Sequence, residues 1–183
     1  MPTRDEWLRQ SLRERLDRMA RTPDDLASAI RGLSDAVLSR RPDAKSWSAK
    51  EVICHLRDIE ELSILRFHTM LAMNDPKVFV VGAIPADPAQ WGIGADVPFP
   101  LDPDRWAEER QYLRNDAAAA LEAFRRRRGE VLALLQKLSP DQWRRTSIHP
   151  VHGRIDFADW TAGIAAHDDN HVDQLRRPLR TEA

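Results

Sequence analysis

Apolar residues in this chain recur every three or four positions through most of its length, and no window alternates with period two between turns. That periodicity gives each of several helices one apolar stripe and leaves no persuasive strand. Striped helices bury their apolar faces against one another, so the predicted fold is all-α, an antiparallel four-helix bundle with short turns. At 183 residues the chain supplies one well-packed core and is too short for two, so residues 1–183 are read as a single domain.

Turn and cap residues set the boundaries. A first helix is predicted from Thr3 to Ala20 and a second from Pro23 to Arg40, with Thr22 as N-cap and with Leu26, Ile30, Leu33 and Val37 on one stripe. The two could equally be one helix bent at Pro23. Ser48 and Glu51 form a capping box that opens a helix running to Met73. A long helix fits Asp104 to Leu138, ended by Ser139 and Pro140, and a last one begins at Asp156 to Asp159 and runs to Arg177.

Between Asn74 and Asp104 lie six prolines and three glycines, together with Phe79, Trp91 and Phe99. This Pro-rich loop, about residues 75–103, is too long for an idle connection. Either it wraps a groove of the bundle or it is a lid that shapes a pocket, in which case Trp91 is a cofactor-binding candidate.

No stretch approaches the roughly 18 uncharged apolar residues of a membrane span, and the N-terminus has no apolar signal core, so a cytoplasmic protein is expected. A net charge of −1 offers no general attraction to nucleic acid or anionic lipid. The basic run Arg125 to Arg128 spreads around a helix and reads as a solvated face. The one cysteine, Cys54, excludes an intrachain disulfide and a Cys-x-x-Cys knuckle, so any bound metal must be held by nitrogen and oxygen. Cys54 itself lies about 100° round the helix from His55 and reads as a small buried thiol.

The histidines carry the chemistry. Trp160, Ile164, His167, His171 and Leu175 share one helix face, and Val52, His55, Ile59 and Leu62 share another, so three imidazoles point into the core. A buried imidazole needs a partner. An i, i+4 pair can present both rings to one ion, and a third ring from a facing helix completes a set that leaves positions open for water or substrate. His68 is rotated off the stripe and stays outside this set. His149 either lines the pocket or caps a neighbouring segment, and His152 reads as structural. Asp58, one turn after His55, and Asp168, next to His167, could steady a ligating ring or act as a base, although Asp168 could also be a solvated helix residue.

Two motifs carry a resemblance. Trp47-Ser48-x-x-Glu51-Val52-x-x-His55-Leu56-x-Asp58-x-Glu60 and His149-Pro150-x-x-Gly153, followed by His167-Asp168-x-x-His171 and Gln174-Leu175, are similar to the motifs of the DinB-like superfamily of metal-binding four-helix bundles. The resemblance implies His55, His167 and His171 as metal ligands, the residues that the stripes also single out. It further implies a divalent-metal-dependent enzyme. One expectation is a transferase that activates a low-molecular-weight thiol of the bacillithiol or mycothiol kind. Others are a hydrolase using metal-bound hydroxide, with Asp58, Asp168 or His149 as base, and a non-enzymatic metal-binding stress protein. Zinc or nickel suits such ligands, with iron or manganese as further options. The expected partners are a small-molecule substrate or thiol and a second copy in a homodimer, with neither nucleic acid nor membrane among them.

Overall fold

The computed structural model describes residues 1–94 and 101–179; Phe99 lies outside them. The helices are α1 (Arg4–Leu8), α2 (Leu12–Ile30), α3 (Asp35–Ser39), α4 (Ala49–Ala72), α5 (Pro103–Glu109), α6 (Ala117–Gln136), α7 (Pro140–Trp143) and α8 (Phe157–Leu179). Strands β1 (Thr146–His149) and β2 (Gly153–Asp156) stand between α7 and α8.

Helices α2, α4, α6 and α8 form the bundle. Arg15 reaches the Ala158 carbonyl and Thr22 reaches Asp168, so α2 and α8 run in the same sense. Arg125 meets Asp24 and Arg128 meets Met19, so α6 runs against α2. His55 meets His171 and Phe67 meets Phe157, so α4 runs against α8 and therefore alongside α6. Parallel neighbours cannot be joined by a short turn. The long connection from α4 to α6, which holds the Pro-rich segment and α5, is the crossover that this topology requires.

Several boundaries differ from the sequence reading. Ser11 and Glu14 form a capping box, so the first break comes there and not at Thr22. Helix α2 then continues through Pro23. Proline removes the N–H that would bond the Met19 carbonyl, and Nη1 of Arg128 donates to that carbonyl at 2.7 Å instead. Leu38, not Leu33, is the buried residue near α3. The predicted helix over 104–138 is two, because Gln111 takes a positive φ of 50° and Asp116 caps a new start at Ala119 N–H. Ser48 and Glu51 do form the capping box of α4, and Asp156 accepts from the Asp159 N–H at the start of α8.

The chain also contains a two-stranded sheet, where its periodicity predicts no strand. β1 and β2 pair antiparallel from Thr146↔Asp156 to His149↔Gly153, and Lys77 bridges Ile148. In β1 the buried side chains are Ser147 and His149, so the alternation carries no apolar signature. Val78 donates to the Ile148 carbonyl at 3.1 Å, which ties the start of the Pro-rich segment to this hairpin.

The core is two apolar clusters. One gathers Leu26, Ile53, Leu56, Phe124 and Leu175; the other gathers Met19, Phe67, Met70, Leu135 and Phe157. Between them each bundle helix contributes polar side chains: Thr22, Glu60, Arg128 and Asp168 are all buried. Among the described residues, no helix is long and apolar enough to cross a membrane.

Candidate metal centre

The three histidines of the apolar stripes meet. His55 from α4 and His167 and His171 from α8 each offer one ligand atom, all within 4.8 Å of one another. Nε2 of His167 lies 3.3 Å from Nε2 of His55 and 3.1 Å from Nε2 of His171. Tetrahedral donors at about 2.0–2.1 Å from an ion stand about 3.4 Å apart, so this spacing fits a nitrogen set around one transition metal. Three ring nitrogens aimed at one point cannot all satisfy one another, an arrangement that could hold a metal ion.

Electrostatics agree with that geometry. Burial, reinforced by the neighbouring His171, holds the His55 ring well below its ordinary pKa, and burial with both neighbours does the same to His167. His171 is lowered too, chiefly by burial, against the opposing effect of its bond to Gln174. The rings are thus neutral and their lone pairs available. Nδ1 of His171 donates to Oε1 of Gln174 at 2.7 Å, which fixes the tautomer and leaves Nε2 free to bind. Nδ1 of His55 is buried with no partner among the described residues.

Trp47 forms a wall. Its ring stacks on His171 at 6.5 Å and tilts against His55 at 4.9 Å, and its indole donates to Asp104 at 2.8 Å. A cavity of about 340 Å³ opens above the triad, bordered by Lys45, Val81, Asp104 and Gln174. Sequence reasoning missed the parts played by Trp47, Asp104 and Gln174. Gln174 was visible as an i+3 amide after His171; nothing in sequence joined Asp104 to the site.

The sequence profile of the DinB superfamily matches residues 18–175. The chain belongs to the DinB superfamily. It is 22% identical over 175 residues to "Putative metal-dependent hydrolase OB0413" of Oceanobacillus iheyensis, covering 95% of this chain and 84% of that one. It is 23% identical over 180 residues to "Putative metal-dependent hydrolase YfiT" of Bacillus subtilis, covering 96% and 85%. The solved structure of YfiT, described as having "an unusual four-helix bundle topology", matches with a TM-score of 0.75 at 20% identity, over 94% of this chain and 88% of that one. That match shows the fold.

The other site candidates of this DinB chain fall elsewhere. Asp168 turns away from the triad: it is fully buried, takes two bonds from Arg128 and one from Thr22 at 2.6 Å, and is not a solvated residue. Asp58 is surrounded by Arg57 at 2.7 Å, Arg110 at 3.0 Å and the Tyr112 hydroxyl at 2.9 Å. Burial pushes its carboxyl up, but Arg57 and these other donors outweigh burial and hold it below the ordinary value. Arg128 likewise is no part of a solvated face; it is the most deeply buried cation of the run, paired with Glu60 at 2.9 Å as well as Asp168.

His149 and His152 both border a second cavity beside His167, His152 from its exposed rim, whereas His68 is exposed and borders neither cavity. Trp91 sets its ring edge against Phe79 at 5.8 Å and is not among the residues lining either cavity; Val81 of the same segment lines both. Cys54 is buried against the Tyr112 carbonyl, and burial pushes its thiol up to about 11.

Proposed function

We propose that this chain is a metal-dependent enzyme that holds one divalent transition metal, zinc or nickel foremost, on His55, His167 and His171 and joins a small thiol to an electrophile in the cavity above them. The observation that carries the choice of thiol chemistry is the state of the candidate bases. Asp58 and Asp168 are both committed to arginines, and Nδ1 of His149 is occupied by the Val151 and His152 amides. Hydrolysis calls for a base beside the attacking water. A thiol ionises more readily and can release its proton to solvent through an open cavity.

A divalent ion bound there supplies positive charge that lowers the pKa of a coordinated thiol toward neutrality. The chain does the rest. Gln174 orients the His171 ring, Trp47 excludes water from one side of the triad, and Lys45 at the mouth draws in an anionic reactant. We take the setting to be the cytosol and the partners to be small molecules.

A hydrolase is the second reading, favoured by the Asp104 carboxylate on the cavity wall and by the names of the relatives. Metal-loaded protein assayed with cysteine or glutathione against an aryl chloride, and separately with an activated ester and no thiol, distinguishes the two. Thiol-dependent arylation that vanishes in His171→Ala supports the transferase. Ester hydrolysis without thiol, lost in Asp104→Asn, supports the hydrolase instead.

A further inference from the structure

A second cavity of about 420 Å³ lies on the other side of His167, between α4, α8 and the hairpin. Ile59, Val80, Ile155 and Ile164 give it an apolar wall, and Arg4 and Asp159, paired with each other at 3.7 Å, also border it. Among the described residues that line it, Arg66 is the one buried formal charge, only 7% exposed. The guanidinium stacks on the Trp160 ring at 4.1 Å, which fixes its plane. Among the described residues it uses one of its five N–H donors, in a long 3.4 Å bond from Nη2 to the Phe79 carbonyl, and its buried Nε has no partner there.

Among the described residues no carboxylate lies within ion-pair distance of Arg66. Glu60 of the same helix, whose charge acts on Arg66 from beyond ion-pair distance, is bonded to Arg128 through Oε1. An arginine in the interior is ordinarily matched by a carboxylate in a two-pronged pair, as Arg128 is by Asp168. Arg66 has the burial and the fixed plane but no such anion among the described residues.

His149 adds a second donor. Its Nδ1 accepts from the Val151 and His152 amides at 3.0 and 3.1 Å, so in the neutral ring the proton sits on Nε2, which has no partner among the described residues. Both His149 and Arg66 line this cavity, and His167 closes the end that adjoins the triad.

We propose that this cavity binds an organic carboxylate, its charged end paired with Arg66 and its short apolar body lying against Ile59, Val80, Ile155 and Ile164. The proposal deepens the metal-enzyme reading by naming a substrate class, and only the word substrate rests on that reading. The bound molecule would run from Arg66 toward His167, which brings its far end to the triad.

The test uses the full chain, both metal-loaded and metal-stripped, titrated with benzoate, with the neutral isostere benzamide and with inorganic phosphate, followed by calorimetry and nitrogen-15 NMR. Benzoate is expected to saturate the metal-stripped protein, with benzamide and phosphate at least ten-fold weaker. The Arg66 Nε–H and Trp160 indole signals should shift with benzoate. Arg66→Met should lose at least ten-fold in benzoate affinity with unchanged metal content; should that variant fail to fold, the NMR shifts in the unmutated protein decide alone. Equal binding of benzoate and benzamide overturns the proposal, as do unmoved Arg66 and Trp160 signals. Phosphate binding as tight as benzoate overturns the apolar part. Benzoate binding only to the metal-loaded form assigns the carboxylate to the metal and sinks the Arg66 site, whereas benzoate binding to the stripped form stands even if the metal reading fails.

Discussion

Arg128 and Asp168 face each other in the middle of the bundle as a two-pronged pair, Nη1 to Oδ2 at 2.5 Å and Nη2 to Oδ1 at 3.0 Å, both side chains buried. The same guanidinium reaches Glu60 and the Met19 carbonyl, so one side chain of α6 ties together α2, α4 and α8. Asp168 immediately follows His167 in α8, so the pair also sets the rotation at which α8 presents its histidines.

Removing one partner of a buried pair leaves the other charge without compensation. Arg128→Ala is therefore expected to cost about 3–5 kcal/mol in chemical denaturation, against under about 1 kcal/mol for Arg126→Ala on the exposed side of α6. An Arg128→Ala protein as stable as the parent would contradict a paired core layer.

The triad makes a direct prediction for metal content. His55→Ala, His167→Ala and His171→Ala should each lose bound metal after brief chelation, because two remaining ligands seldom retain a labile ion. His68→Ala, on the exposed side of α4, should keep full occupancy. Native mass spectrometry of the four variants reads this out, and a fully loaded His171→Ala protein refutes the ligand set.

Gln174 acts one bond further out. Its amide oxygen holds Nδ1–H of His171, so Gln174→Ala should weaken metal binding by about 10–100-fold without loss of helix content. Gln174→Glu keeps an acceptor at that position and should recover most of the affinity. Competition with a chromogenic chelator measures both.

Acid should destabilise the protein through His149. Burial, with smaller effects from His152, Arg66 and Arg4, holds its ring down to about 3, below the ordinary value of 6.5. The unfolded chain therefore takes up this proton first as pH falls. The contribution is complete above about pH 6.5 and is lost progressively toward about pH 3. In metal-stripped protein, His149→Gln should flatten the fall in stability over that window, measured by urea denaturation at stepped pH; an unchanged slope would count against a buried neutral His149.

The Pro-rich segment can be dissected by two substitutions. Trp91→Ala should leave metal content and reactant affinity unchanged, since its ring contacts Phe79 and Lys77 away from both cavities. Val81→Trp should obstruct both cavities and lower affinity while metal content holds. Equilibrium binding of a thiol or of benzoate compares them, and the reverse ranking would place Trp91 in the pocket after all.

Local chemistry by itself determined the helices that matter most. The capping box of Ser48 and Glu51 starts α4, the acidic cap at Asp156 starts α8, and stripes with a 3.6-residue period turn His55, His167 and His171 toward the core. Each rests on residues within a turn or two of one another, so the sequence states them directly. Tertiary structure decided the rest. Whether Asp168 is solvated or buried depends on Arg128, 40 positions earlier, and whether Pro23 breaks its helix depends on the same side chain reaching the Met19 carbonyl. Asp58 reads from its motif as a ring-steadying or basic acid and is instead tied up by Arg57 beside it and by Arg110 and the Tyr112 hydroxyl of the crossover. Burial of a charge is tolerated only where an opposite charge or a full set of hydrogen bonds arrives from elsewhere in the chain, and that arrival is set by how the helices pack.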